Sequence, residues 1–420
     1  MRKFCIFLIF ALVSGRAFSQ NFPEYSVDNI PPTLNTRANA VIRKFETTVD
    51  MRTPDNVILT IKKVITILNK NGDKRAALAL YYDKSTAIKS VKGQVMDASG
   101  VSQGKITLSS FIDESAVSNI SLFEDSRVKY FSPNTITYPY TVSYEYELRF
   151  KQNLNIPDWY ANPAPDVAVQ NAEYTFITKP GDKIRIKEYN YKGKTETAKT
   201  DKLESYTWKV ANLNAFKPEA YAPDPDTYIT YVKIAAENFT YYGKAGSYTD
   251  WNGLGKWVYE DLVKSRQALS PETVKMVNEL VKDAPNDKEK ARKIYEYLQK
   301  KTRYISVQVG IGGYQPFLAT EVDRLSYGDC KALVNYAQAL LKSVNIDSYY
   351  CLVSAGSMKK SFDPQFASMD QGNHIILCLP FEKDTTWLEC TSQDSPFGYL
   401  GTFTDDRYVL ACAADGGKLL

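Results

Sequence analysis

The chain holds a single histidine, His374, at the head of the apolar, alternating run HIILCLP. Upstream, YGDCKALVNY puts Cys330 where a loop becomes a helix. Gly328 is read as the residue that lets the backbone turn, and Asp329 as a cap for the free N–H groups. A thiol in the first helical turn feels the positive end of the helix dipole, which favours thiolate over thiol. Its own backbone N–H points outward, where it can donate to a developing oxyanion. In an extended strand His374, Ile376 and Cys378 face one way, and Ile375, Leu377 and Leu379 the other. The short turn FEKD then leads into TTWLECT, so the two runs pair as a hairpin and Glu389 falls within reach of the imidazole. A carboxylate there would fix the ring's tautomer and stabilise imidazolium. Singly, each residue has a bland reading: a satisfied polar histidine, a packed cysteine, a solvated acid. The three together describe nucleophilic acyl transfer, in which a sulfur attacks an acyl carbon and histidine moves the proton.

The rest of the chain must position these groups in one compartment. MRKFCIFLIFALVSGRAFSQ has Arg2 and Lys3 before an apolar core too short to span a bilayer, then AFS as a cleavage site. Residues 1–19 therefore read as a signal peptide, and the protein as exported, to the periplasm, the cell envelope or the medium. Removing Arg2, Lys3 and Arg16 from 52 basic residues leaves 49 against 48 acidic ones. So balanced a chain offers no electrostatic case for nucleic acid or an anionic membrane surface. No later stretch is apolar enough for a membrane helix. Five cysteines follow the signal: Cys330, Cys351, Cys378, Cys390 and Cys412. No CxxC or His-rich spacing accompanies them, which argues against structural zinc. The odd number leaves one thiol free in a monomer even if disulfides form.

Residues 40–210 alternate with a period of two, are rich in Val, Ile, Thr and Tyr, and are punctuated by TPDN, KNGD, DASG and KPGD turns. This predicts an all-β antiparallel, sandwich-like domain over 20–215. Its tyrosines read as cross-strand packing rather than a glycan platform. The proline-rich FKPEAYAPDPDTY and the strand-like YITYVKIAAEN suggest a linker and connecting strand over 216–250. The period then becomes helical. WNGLGKWVYEDLVKSRQ, SPETVKMVNELVKD with a Ser270 cap, NDKEKARKIYEYLQKK capped by Asn286 or Asp287, and DCKALVNYAQALLKSV make four expected helices. The last carries an apolar stripe of Ala332, Leu333, Tyr336, Leu340 and Leu341. SYYCLVSA, HIILCLP, TTWLECT and RYVLACA return to strands, so 251–415 is expected to be an α+β domain. The sequons at Asn119 and Asn238 mean little if the source is bacterial, which the signal does not decide.

The motifs YGDCKALVNYAQALLKSVNIDSYYCLV, NHIILCLP and WLECTSQDSPFGYL, in that order, resemble the transglutaminase-like superfamily, whose core shares a papain-like arrangement. RYISVQVGIGGYQPF and PFGYL are similar to a subgroup of bacterial exported proteins. In these an all-β domain of unknown function precedes the transglutaminase-like core. The resemblance implies a multidomain protein with Cys330 as nucleophile, His374 as base and Glu389 as third member, where that superfamily usually has Asp. Asp394 is the substitute acid. It implies a peptidase or amidase if water is the acceptor and a transamidase if an amine is, with protein, peptide or cell-wall peptide as substrate and no cofactor or metal. Relatives of this layout often carry a further β domain beyond the equivalent of RYVLACAADGGKLL. The side-chain oxyanion donor is left open among Gln308, Gln315, Tyr314 and Tyr327. Two other readings stand beside this one: a catalytically silent envelope protein that binds peptide or glycan, and a redox sensor in which Cys378 and Cys390 bridge paired strands.

Overall fold

The computed structural model describes residues 20–116, 121–135, 137–217, 219, 221–382 and 384–420. The expected signal at 1–19 and the sequon at Asn119 lie outside the described residues. The chain is mostly β, with one large sheet and a helical C-terminal part.

The large sheet has eight strands, from edge to edge Glu196–Lys199, Glu204–Leu213, Val167–Thr178, Ala40–Thr53, Asn56–Ile67, Tyr140–Phe150, Thr86–Met96 and Ser102–Thr107. It departs from a wholly antiparallel sheet at its centre, where Ala40–Thr53 runs parallel to Val167–Thr178. The other flank of Ala40–Thr53 is taken by its hairpin partner across the TPDN turn. The chain reaches the parallel strand only after a long excursion, so no tight turn dictates its direction. Two three-stranded sheets share the core of one face. Leu80 of the first and Val232, Ile234 and Ala236 of the second pack with Ile42, Val49 and Phe176 of the large sheet. Tyr174 stacks between Trp159 and Trp208, with ring centroids 5.8 and 5.5 Å away, so this tyrosine is spent on packing. Tyr231–Ala236, from the segment after the prolines, is the central strand of the second small sheet, between Trp159–Tyr160 and Ile184–Tyr189.

Beyond it the helices gather on one face of a five-stranded antiparallel sheet, ordered Asp384–Leu388, His374–Phe381, Tyr349–Val353, Val409–Ala413, Gly416–Leu419. Ile375, Leu377 and Leu379 pack on the helices, while Ile376 and Cys378 join Cys351, Val353, Val409 and Ala411 on the other face. The first helix, Trp251–Trp257, widens into a π-helical turn over Val258–Val263. Ser270 caps Pro271–Val281, and Asn286, rather than Asp287, caps Asp287–Lys301. A fifth helix, Ala319–Leu325, was not expected; it has only seven residues, too few for a periodic signal. The Cys330–Lys342 helix is the centre of this part: every residue from Cys330 to Leu341 is buried. It therefore buries its polar side as well as the apolar stripe. Asn335 donates to the carbonyls of Arg266 and Phe317, while Gln338 donates to that of Ser348 and accepts from Gln267, so their amide nitrogens are satisfied and the Asn335 side-chain oxygen is left buried without a partner. No helix among the described residues is long and apolar enough to cross a membrane.

Candidate active site

Cys330 opens the buried central helix. Asp329, extended at its N-cap, accepts from the Ala332 N–H at 3.0 Å, and its other carboxylate oxygen lies 2.5 Å from the Lys331 ammonium. Both side chains are buried, so this ion pair closes the polar side of the helix start, and removing either partner would strand a charge. Gly328 serves differently from the expectation. Its φ is not positive, and what it supplies is space, since a Cβ there would come 2.7 Å from that of Ala332. The short strand Tyr327–Gly328 pairs in parallel with Arg303–Tyr304, with Tyr304 opposite Gly328 and the Ile305 N–H donating to the Gly328 carbonyl at 2.9 Å.

His374 is the first residue of its strand, opposite Val353. Asn373 anchors the approach, accepting from the Ala355 N–H at 2.7 Å and donating to the Ala355 carbonyl at 3.0 Å. The neighbouring hairpin strand is in register with Leu377 opposite Leu388, which sets Glu389 across from Ile376. Glu389 is thus a diagonal neighbour of His374 on the same face, a separation of roughly 7–8 Å at the backbone. The longer glutamate arm suits that diagonal: Oε2 lies 2.9 Å from Nε2 of the ring. Oε1 accepts from the Thr391 N–H at 2.9 Å and its hydroxyl at 2.5 Å, and the Glu389 carbonyl accepts from Tyr295 at 2.8 Å. With Nε2 engaged by the carboxylate, Nδ1 is the ring nitrogen available to Cys330.

The electrostatics follow from these contacts. Burial opposes charge on His374, but hydrogen bonds with Cys330 and Glu389, and their charge, outweigh it and raise the imidazole to about 10. Burial likewise opposes the Glu389 carboxylate, yet the His374 and Thr391 hydrogen bonds and the positive ring hold it below its ordinary value. The Tyr304 phenol is pushed up to about 12, first by burial and then by the charge of Cys330, against the opposing effect of a hydrogen bond with Ser306 and with Asp329 and Glu389 adding to the rise. Cys330, His374 and Glu389 are 7, 9 and 7 % exposed, so the site is sheltered from bulk solvent.

The structure brings Cys330, His374 and Glu389 together and disperses the other candidates. Asp394 is exposed and bonds through its backbone to Ser392, so it is not the acid beside the ring. Gln315 is buried but accepts from Arg266, and the Tyr314 hydroxyl is held by Asn155 of the β part at 2.8 Å. Gln308 is exposed on a strand paired with Ser121–Glu124. Tyr327 lies opposite Arg303, partly buried, with its backbone in the short parallel ladder. Cys378 and Cys390 are both free thiols on opposite faces of the sheet, which corrects the idea that they bridge. Sequence reasoning passed over Tyr304, Thr391 and Phe403. The Phe403 ring meets His374 edge-on, centroids 5.6 Å apart. Tyr304 is recognisable only once RYIS is known to pair with the YG before Cys330. Among the described residues no group of three or more His, Cys, Asp or Glu is placed to hold a metal. A cavity of about 540 Å³ on the large sheet, lined by Arg43, Lys44, Glu46 and Glu173, contains none of the three residues.

Residues 55–217 match the DUF3857 domain of unknown function. No curated protein matches the chain significantly. Among solved structures, a "putative protease" from Parabacteroides distasonis superposes with a TM-score of 0.67 at 13% identity, covering 91% of this chain and 71% of that one. At that identity the likeness is one of fold. A "putative cysteine protease" from Cytophaga hutchinsonii matches at 9% identity over 80% of this chain and 77% of its own, with a TM-score of only 0.24. An aminopeptidase A from Legionella pneumophila, of which this chain spans 24%, matches 53% of this chain at 12% identity and a TM-score of 0.27. Neither of the last two scores supports a structural argument.

Proposed function

We propose that this protein is an exported, transglutaminase-like cysteine hydrolase that cleaves peptide or related amide bonds through Cys330, His374 and Glu389. The observation that carries the reading is the chain of contacts from sulfur to imidazole to a carboxylate whose second oxygen is itself held. The protease-like naming of the Parabacteroides neighbour is consistent with a peptide substrate. In the proposed resting site the ring carries the proton, favoured by its hydrogen bonds with Cys330 and then with Glu389. Sulfur attacks the acyl carbon, the C–S bond forms, and the carbonyl electrons move onto oxygen. Collapse expels the amine, which takes the ring proton; water, deprotonated by the then neutral ring, attacks the acyl carbon, and the second collapse releases the acid and restores the thiolate beside the protonated ring. The oxyanion would face the outward backbone N–H of Cys330.

Selective alkylation tests the reading. Burial pushes Cys351, Cys390 and Cys412 up, and Cys378, shifted down by the Cys351 hydrogen bond, is fully buried. Iodoacetamide at pH 7 should therefore label Cys330 alone in the folded protein, faster than it labels free cysteine. Peptide mapping that found Cys330 no more reactive than free cysteine would leave the proposal without a nucleophile.

We assign the second oxyanion donor to Tyr304, a phenol close enough to Cys330 to feel its charge and set on the strand beside the Gly328 turn, since Gln308, Gln315 and Tyr314 are otherwise engaged. Tyr304→Phe should slow acylation by p-nitrophenyl acetate about 100-fold, while leaving iodoacetamide labelling, which develops no oxyanion, within about two-fold. Equal losses in both assays would show that the tyrosine merely supports the fold.

A further inference from the structure

The loop 398–408 runs from the Glu389 strand to the Val409–Ala413 strand and passes over the end of the sheet where His374 begins. It is firmly held. The Phe403 carbonyl accepts from the Gly356 N–H at 3.0 Å, and the Tyr408 N–H donates to the Ser361 hydroxyl at 2.8 Å. Arg407, its side chain wholly buried, donates to the carbonyls of Ser354, Asp405 and Thr402 at 2.5, 2.9 and 3.3 Å. A buried guanidinium given three carbonyl partners locks the loop to the segment after the Tyr349–Val353 strand. Yet Phe403, on this pinned loop, remains 53% exposed, and Tyr399 and Met358 of the same two segments are each 59% exposed. An aromatic held at a fixed place with half its surface in water, its edge on the only imidazole of the chain, is positioned for contact with something else.

The two neighbours of the ring come from opposite sides. Cys330 belongs to the core on the helical face of the sheet, whereas Leu400 of the loop packs against the other face. In the proposed reaction, on which this inference rests, the acyl group stays on sulfur and the departing amine takes its proton from His374. The chain carrying that amine therefore leaves past the ring, toward Phe403. We propose that Phe403 determines specificity on the leaving-group side, favouring peptides whose residue immediately after the cleaved bond has a large apolar side chain. Contact between that side chain and the exposed face of Phe403 removes apolar surface of both from water.

The test is cleavage of a proteome-derived peptide library, read by mass spectrometry, with wild type, Phe403→Ala, Phe403→Leu and Cys330→Ala. Wild type should enrich Leu, Ile, Phe or Tyr directly after the cut. Phe403→Ala should lose about ten-fold in preference for these over Gly and Ser there, with the residues before the cut unchanged. Phe403→Leu, which keeps an apolar surface, should retain most of it. A uniform loss at all sites, or an unchanged profile in Phe403→Ala, would overturn the specificity role while leaving the nucleophile assignment intact. Cleavage that persists in Cys330→Ala, or no cleavage by wild type, would overturn the hydrolase reading and this inference with it.

Discussion

Cys330→Ala should abolish release of p-nitrophenolate from p-nitrophenyl acetate, with a fall of about 10⁴-fold or more, while the protein remains folded. The loss is large because no other group can take the sulfur's part: the remaining cysteines are free thiols buried within the sheet or behind it. The fold should tolerate the change because alanine keeps the helix start intact. The Asp329 cap on Ala332 and the Asp329–Lys331 pair involve neighbouring side chains and not the sulfur. Removing one sulfur from a residue that is 7% exposed leaves only a small void. Burst amplitude in stopped flow measures the effect, and circular dichroism melting measures the fold. Turnover at the wild-type rate in the mutant would refute the mechanism.

Glu389→Gln has the second largest expected effect. Oε1 receives the Thr391 N–H and hydroxyl, and Oε2 faces the ring nitrogen, so the pocket presents donors on both sides. A primary amide has one accepting oxygen and one donating nitrogen, and either orientation sets a donor against a donor. If the amide oxygen stays with Thr391, His374 loses both its orienting acceptor and its counter-charge. Turnover should fall about 10⁴-fold, by analogy with amide replacement of a triad carboxylate. Stability should drop by about 1–3 kcal/mol for the unsatisfied polar group.

The same pair predicts a pH dependence. His374 is raised from 6.5 to about 10, so its contribution to stability is complete below about 6.5 and is lost as pH rises through about 10. Glu389 is held below its ordinary 4.5, so its contribution is complete above that value and is lost as pH falls through the lower folded one. Urea unfolding of wild type and Glu389→Gln should therefore differ most between about pH 4.5 and 6.5, and the difference should narrow as pH rises through about 10. An equal difference at pH 7 and pH 11 would mean that the carboxylate does not hold the ring positive.

Sequence reasoning succeeded where a signal is carried within a few residues. Asp329 before an apolar helix predicts the cap, because the side chain need only reach an N–H three positions on. Alternation in HIILCLP predicts the two faces of the strand, and the FEKD turn predicts the hairpin and hence the side on which Glu389 lies. The Ser270 and Asn286 helix starts are local in the same way. What failed was remote. The parallel pairing of Ala40–Thr53 with Val167–Thr178 leaves no turn to read, and Gly328 matters for an approach to Ala332 that only the folded helix creates. Gln315 and Tyr314 have suitable chemistry, but their partners, Arg266 and Asn155, come from distant segments.

The amino-acid sequence by itself determined the order of the candidate residues, the elements that bear them and which side of each element they occupy. Caps, turns and periodicity are short-range effects that any chain with this sequence would feel. Only the tertiary structure decided that Tyr304 lies beside the Cys330 loop and that a buried Arg407 pins Phe403 over His374. It also decided that a glutamate spans the diagonal to the ring. Those outcomes depend on which remote surfaces bury one another, and that free energy belongs to the assembled core rather than to any stretch of chain.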